Sequence, residues 1–239
     1  SKGLNVIFAG EDSTRTEKKY LLKFIKSIEK YIFGFIICDT VGILTPSKTK
    51  KLVLEIKDKI DCKLGVHFHN DRGLADKNTL AAIESGAVIV SGTTGGIGER
   101  AGNADLCNIA LNCKVGDIDL EKLTAIKSLV YKLGGSKPAK PLSRRAFWHE
   151  SGIHVNALLK DPLSYNASLP EKNGRNNKFF FGKFSGISNY RYLFKDKYSE
   201  KQLIKMRDFF KELSYKNKKS YSAGEIRRIL LEKGFDRMH

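Results

Sequence analysis

Short apolar runs and longer amphipathic stretches alternate through roughly the first 110 residues, the pattern of a parallel sheet covered by helices. Leu4 to Ala9 predicts a strand that ends in Glu11-Asp12, and Thr16 to Tyr31 an amphipathic helix with Tyr20, Leu21, Phe24, Ile25 and Ile28 at helical spacing. Phe33 to Cys38 predicts a second strand, closed by Asp39-Thr40-Val41-Gly42. Thr45-Pro46 has the form of a helix start, a capping hydroxyl followed by proline, and that helix extends to about Ile60. A third strand leads from Leu64-Gly65-Val66 into His67-Phe68-His69-Asn70-Asp71, with a helix over Lys77 to Ser85. Ala87 to Val90 is the fourth strand; a glycine-rich loop, Gly92 to Gly102, and a helix from Asn103 to Asn112 complete the series.

The remainder of the chain has a different texture. Asp119 to Leu133 predicts a helix, and Gly134-Gly135 with Pro138 and Pro141 marks a linker. Residues 147–186 are loop-rich, and from Ser199 onward helical spacing returns, with Ser222 and Glu225 forming a capping box. The expected organisation is therefore a β/α region over 1–134, a linker and lid over 135–190, and a helical region over 191–239.

In each β/α unit the chemically capable residues stand at the carboxyl end of the strand, where parallel α/β architectures place their active sites. Side chains alternate along a strand, so His67 and His69 face one way and Phe68 the other. Two imidazoles on one face make half of a divalent-metal site; for an isolated His-x-His, a pair of unrelated histidines remains the alternative.

Composition narrows the field. The formal charge of +17, from 43 Lys and Arg against 26 Asp and Glu, raises nucleic acid, an anionic membrane or an acidic protein as partners. Lysine pairs such as Lys18-Lys19 and Lys218-Lys219 lack interleaved stacking aromatics, so no nucleic-acid partner is expected. No stretch approaches the ~20 apolar residues of a membrane span, and no membrane partner is expected. The scattered Cys38, Cys62, Cys107 and Cys113, together with an N-terminus lacking a signal-peptide pattern, place the expectation in the cytoplasm. Gly96-Ile97-Gly98-Glu99-Arg100-Ala101 imitates a dinucleotide fingerprint but follows the fourth strand rather than opening a domain.

Taken together, Glu11-Asp12-Ser13-Thr14-Arg15, Asp39-Thr40-Val41-Gly42, His67-Phe68-His69-Asn70-Asp71, Gly98-Glu99-Arg100-Ala101-Gly102-Asn103-Ala104 and Glu150-Ser151-Gly152-Ile153-His154-Val155 carry a resemblance. In that order, with Leu159-Lys160-Asp161-Pro162 after them, the chain resembles the homocitrate synthase and 2-isopropylmalate synthase family of metal-dependent TIM-barrel acyltransferases. The resemblance implies condensation of acetyl-CoA with a 2-oxo acid, followed by thioester hydrolysis. It implies a divalent metal (Mg²⁺, Mn²⁺ or Zn²⁺) held by His67, His69 and Asn103. Thr40 would hold the 2-oxo acid's carboxylate, with Arg15 near it, and Glu11 would lie by the reacting centre. His154 and Tyr165 would act together on the methyl proton, on a segment that reaches the neighbouring subunit's barrel mouth. Taken alone, Arg15 and Glu99-Arg100 are equally a structural ion pair, and His149 is left as structural.

Departures from the family pattern set further expectations. The Arg-Asp-Gly-Glu segment that supplies the family's metal carboxylate has no counterpart, and four β/α units make half of a (β/α)₈ barrel. The fold class expected is thus α/β, the C-terminal half (strands 5–8) of a TIM barrel followed by a mostly helical subdomain. The expected partner is a separate, acidic chain carrying the N-terminal half-barrel and the missing carboxylate, assembled as a dimer of such pairs. Arg72, Thr94-Gly95 and Phe184 depart from family preference and blur the choice of 2-oxo acid. The Glu-Asp-Ser-Thr-Arg and Lys-Asp-Pro segments look closest to nitrogen-fixation homocitrate synthase, which implies 2-oxoglutarate. 2-Isopropylmalate, citramalate or citrate formation and a non-catalytic half-barrel module are the alternatives.

Overall fold

The computed structural model describes residues 3–113, 118–134 and 137–233. Gly135 of the predicted linker and the last six residues of the predicted helical region lie outside that set. The chain divides into two compact units, Ser1–Ala146 and Phe147–His239.

The first unit is a four-stranded, all-parallel sheet in sequential order, β1 (Ile7–Gly10), β2 (Gly34–Asp39), β3 (Lys63–Phe68) and β4 (Ile89–Ser91). Helices α1 (Lys18–Ile28), α2 (Pro46–Lys57) and α3 (Ala75–Glu84) connect them, as the alternating pattern predicts. Thr45 caps α2 ahead of Pro46. One strand face supplies Phe35, Ile37, Leu64, Val66 and Phe68 to a core shared with Leu21 and Ile25 of α1, Val53 and Ile56 of α2, and Ala75 and Ala82 of α3. Alternation sends Ile36, Cys38, Gly65, His67, Ile89 and Ser91 to the opposite face. The register aligns Cys38, His67 and Ser91 in one row across three strands. After β4 come α4 (Leu106–Asn112) and α5 (Leu120–Gly134). The predicted helix at 103–112 starts three residues later, because Asp105 rather than Asn103 caps it, its carboxylate accepting from Cys107 N–H at 3.0 Å.

The second unit begins at Phe147, and one helix, Ile187–Phe194, runs through residues 190 and 191. The stretch expected to be loop-rich contains β5 (Trp148–His149), α6 (Gly152–Lys160) and β6 (Lys178–Phe181). It is followed by α7 (Ile187–Phe194), α8 (Glu200–Asn217), β7 (Tyr221–Ser222) and α9 (Ala223–Glu232). β5 pairs parallel with β6, and β6 antiparallel with β7. Phe181, Tyr190, Leu203, Met206, Phe210, Tyr221, Ile226 and Leu230 share one apolar core, which welds the predicted lid and helical regions together.

The capping box before α9 is formed as expected, Glu225 accepting from Ser222 N–H and O–H, each at 2.8 Å. The Lys219 ammonium and those two donors push the Glu225 carboxyl down to about 2. A carboxyl lowered on folding stabilises above its ordinary value of 4.5, and that contribution fades as the pH falls from there toward about 2. Glu225→Gln is expected to cost this unit less than about 1 kcal/mol at pH 7, since the pair is partly exposed. Urea titrations of wild type and variant should converge as the pH falls through that window; a difference independent of pH would contradict the assignment.

Candidate metal and substrate site

At the carboxyl end of the first sheet, β3 delivers His67 and the residues just beyond it deliver His69. His69 lies past the last residue of β3, joined to Asn103 by an isolated antiparallel bridge. Its N–H donates to Asp39 C=O at 3.3 Å, so β2 and the glycine-rich loop set its position together. The two imidazoles meet edge to face with centroids 5.1 Å apart. His67 Nδ1 lies 3.0 Å from Ser91 Oγ, the next residue in its register row, so Nε2 is the nitrogen that could ligate a metal. Burial, opposed by the Ser91 bond and reinforced by the Arg100 charge, lowers the His67 pKa and favours the neutral, ligating imidazole.

Asn103 completes this group. Its amide Nδ2 donates to Ile97 C=O at 3.1 Å, while its buried Oδ1 finds no hydrogen-bond partner among the described residues. A buried amide oxygen without a donor is costly unless something binds it. Two imidazoles and one carbonyl oxygen suit Mg²⁺, Mn²⁺ or Zn²⁺, so the residues present fit the metal that the resemblance implies. Among the described residues no His, Cys, Asp or Glu joins them to make a group of three.

The β2 end presents Thr40. Asp39 is fully buried and accepts from Thr14 O–H, Ile43 N–H and Leu44 N–H at 3.0, 3.1 and 2.9 Å. Burial raises its pKa against the pull of those three bonds. The turn it braces includes Gly42, at φ +62°, where a Cβ would stand 2.8 Å from His69 C=O. Thr40 Oγ1 accepts from Asp12 N–H at 2.7 Å, which leaves the Thr40 hydroxyl proton to donate. Arg15 Nε donates to Asp12 Oδ1 at 2.8 Å, so Arg15 is engaged in an ion pair at the β1 end. Glu11 follows β1, close enough to Cys38 for its charge to join burial in pushing that thiol up to about 12.

Arg100 is the part of the site that motif reading left undecided. Its side chain is fully buried and forks onto Asp71, Nε to Oδ1 at 2.9 Å and Nη2 to Oδ2 at 3.0 Å. Nη2 also donates to Thr40 C=O at 2.5 Å. One guanidinium thus ties the ends of β2 and β3 to the glycine-rich loop. Ser91 and Asp39, the last residues of β4 and β2, and Asp71, just past β3, join these residues; Asp39 and Asp71 stand within the sequence motifs, and Ser91 is marked only by its place at a strand end.

In the second unit, His154 on α6 stacks on Tyr165, ring centroids 3.8 Å apart and planes 22° from parallel. The structure therefore brings the two predicted proton-handling residues together. His149 is buried, its Nε2 3.1 Å from Asn177 Oδ1, and Asn166, next to Tyr165, donates to the same oxygen at 3.2 Å. His149 thus lies in the network behind the stacked pair, with its ring 6.4 Å from that of His154.

Residues 1–130 match the HMGL-like family, and residues 142–218 match the homocitrate synthase post-HMGL domain-like family. The chain belongs to the HMGL-like family. It is 40% identical over 193 residues to homocitrate synthase AksA of Methanosarcina acetivorans, covering 77% of this chain and 48% of that one. To a probable 2-isopropylmalate synthase of Methanopyrus kandleri it is 40% identical, covering 77% and 39%. To (R)-citramalate synthase CimA of Methanocaldococcus jannaschii it is 36% identical over 223 residues, covering 88% and 45%. The chain spans about half the length of the curated relatives it matches. The four cysteines are free, and no helix among the described residues is long and apolar enough to cross a membrane.

Proposed function

We propose that this chain forms the metal-binding and 2-oxo-acid-binding face of a synthase that condenses acetyl-CoA with a 2-oxo acid, 2-oxoglutarate first among them. The observation that carries the reading is the His67–His69 ring pair at the carboxyl end of the parallel sheet, bridged through His69 to Asn103, whose buried Oδ1 has no hydrogen-bond partner among the described residues. His67, His69 and Asn103 would hold a divalent metal, whose chemistry there would be Lewis-acid polarisation of the substrate's 2-oxo group. Thr40 donates its hydroxyl proton to the substrate carboxylate. His154 and Tyr165, serving the mouth of a neighbouring copy, take a proton from the acetyl methyl, and the resulting carbon nucleophile attacks the 2-oxo carbon. Water then cleaves the thioester and releases CoA. Glu11, at the β1 end, holds charge near the reacting centre.

The sheet is read as half of a (β/α)₈ barrel. Sequential strand order without a reversal, and a single helix-covered core face, suit a barrel better than a doubly wound sheet. Its edge strand β1 leaves Ile7 45% and Phe8 39% exposed, while α5 exposes Leu129 and Leu133. A complementary half-barrel would cover these apolar surfaces and add the carboxylate that the metal set lacks.

Thiol release from acetyl-CoA, measured with 2-oxoglutarate, 2-oxoisovalerate, pyruvate and oxaloacetate in turn, tests the function. The highest kcat/KM is expected with 2-oxoglutarate. A preference for 2-oxoisovalerate or pyruvate would move the assignment to isopropylmalate or citramalate formation, and release independent of any 2-oxo acid would refute it.

A further inference from the structure

We propose that α5 positions the Asn103 ligand by gripping Gly95 from both sides, with Lys127 and Tyr131 as positioning residues; the proposal rests on the metal reading above. Lys127 and Tyr131 are four residues apart and so present neighbouring side chains on one helix face. The Tyr131 hydroxyl donates to Gly95 C=O at 2.8 Å. Lys127 Nζ pairs with Asp105 Oδ2 at 2.5 Å, and the other oxygen of that carboxylate accepts from Gly95 N–H at 2.8 Å. Both backbone polar groups of Gly95 are thereby fixed by α5, one directly and one through Asp105. Gly95 sits at φ +75°, and a Cβ there would lie 2.6 Å from the Tyr131 ring, so the glycine is what lets the ring approach.

The grip leads straight to the ligand. Gly96 C=O accepts from Asn103 N–H at 3.1 Å, and Ile97 C=O accepts from the Asn103 side-chain amide. The two carbonyls just beyond Gly95 therefore hold the backbone and the side chain of Asn103. Asp105, two residues past Asn103, closes the loop from the far side, its residue bridged to Thr93 and its N–H donating to Asp76 Oδ1 at 2.8 Å. With Nδ2 committed to Ile97, the buried Oδ1 is left without a donor among the described residues. Loss of the grip would free the loop and, with it, the amide orientation that presents the oxygen.

A double-mutant cycle in Mn²⁺ affinity, titrated calorimetrically into the intact metal-stripped enzyme, tests this. Tyr131→Phe keeps the ring and removes only the hydroxyl; it is expected to weaken Mn²⁺ binding about tenfold, the low end for an outer-shell partner. Asn103→Ala should weaken it more, and the double variant should be no weaker than Asn103→Ala alone. Lys127→Met, which acts on the other side of Gly95, should give the same coupling. Independent, multiplying effects, or unchanged affinity in Tyr131→Phe, would overturn the proposal, since a merely structural role lowers thermal stability without coupling to Asn103. His67→Ala separates the two layers: if it leaves Mn²⁺ affinity unchanged, the metal reading fails and takes the grip with it. If it abolishes binding while the cycle is additive, only the grip fails.

Discussion

His67→Ala is expected to reduce acetyl-CoA condensation below detection while leaving the fold intact. The imidazole stands in the row Cys38–His67–Ser91 on the face away from the helix-covered core, so its removal opens no cavity in that core. What it removes is one of the two nitrogen ligands proposed for the metal. Outer-shell partners of metal ligands typically cost 10–100-fold in affinity or activity when lost, and a ligand itself costs more. Ser91→Ala provides the graded comparison. It takes away only the partner of His67 Nδ1, so activity should fall about 10–100-fold rather than vanish. Turnover equal to wild type in His67→Ala would refute the ligand assignment, and unchanged circular dichroism is the control that keeps the loss chemical.

The second large effect is on stability. Arg100→Met is expected to destabilise the first unit by about 3–5 kcal/mol, because it strands the Asp71 carboxylate in a buried position without its partner. Thr40 C=O also loses its guanidinium donor, so the β2 and β3 ends are no longer tied to the loop that carries Asn103. Arg15→Met makes the contrast: its pair with Asp12 is roughly one-third exposed on both sides, and an exposed pair contributes about 0–1 kcal/mol. Urea denaturation of the two variants should separate them clearly. Equal, small losses would show that Arg100 is a surface-like pair rather than the tie described here. Asp71→Asn should reproduce much of the Arg100 loss, since it leaves the buried guanidinium uncompensated.

The site's two halves differ in how far the sequence exposes them. Strand alternation alone places His67 and His69 on one face, and the order of the short motifs points to Thr40, Asn103, His154 and Tyr165. The stacked His154–Tyr165 pair is consistent with that reading because both lie on one short stretch, eleven residues apart. Arg100 and Asp71 are separated by 29 residues, and nothing local distinguishes their fork from a pair of solvated charges. The grip of α5 on Gly95 is hidden for the same reason, Tyr131 and Gly95 lying 36 residues apart. The stretch 147–186 carries strands of two and four residues, and β6 draws part of its pairing from Tyr221-Ser222, some forty positions later. Local propensity is weak in pieces that short, and tertiary pairing decides them. Asn103 looked like a helix start because a polar residue precedes an apolar run. Asp105 is the better cap, having a carboxylate that reaches both Cys107 and Gly95 N–H, and Asn103 is released to face the site.

The proposed metal set is the centre of the account: nitrogens of His67 and His69 and the side-chain oxygen of Asn103. Pulsed electron paramagnetic resonance of the Mn²⁺-loaded intact enzyme reads the ligands directly, through the nuclear coupling of each coordinated nitrogen. The account predicts two directly bound imidazole nitrogens, falling to one in either His67→Ala or His69→Ala. Bound Mn²⁺ that shows no histidine coupling, or the same coupling in wild type and both variants, would contradict it.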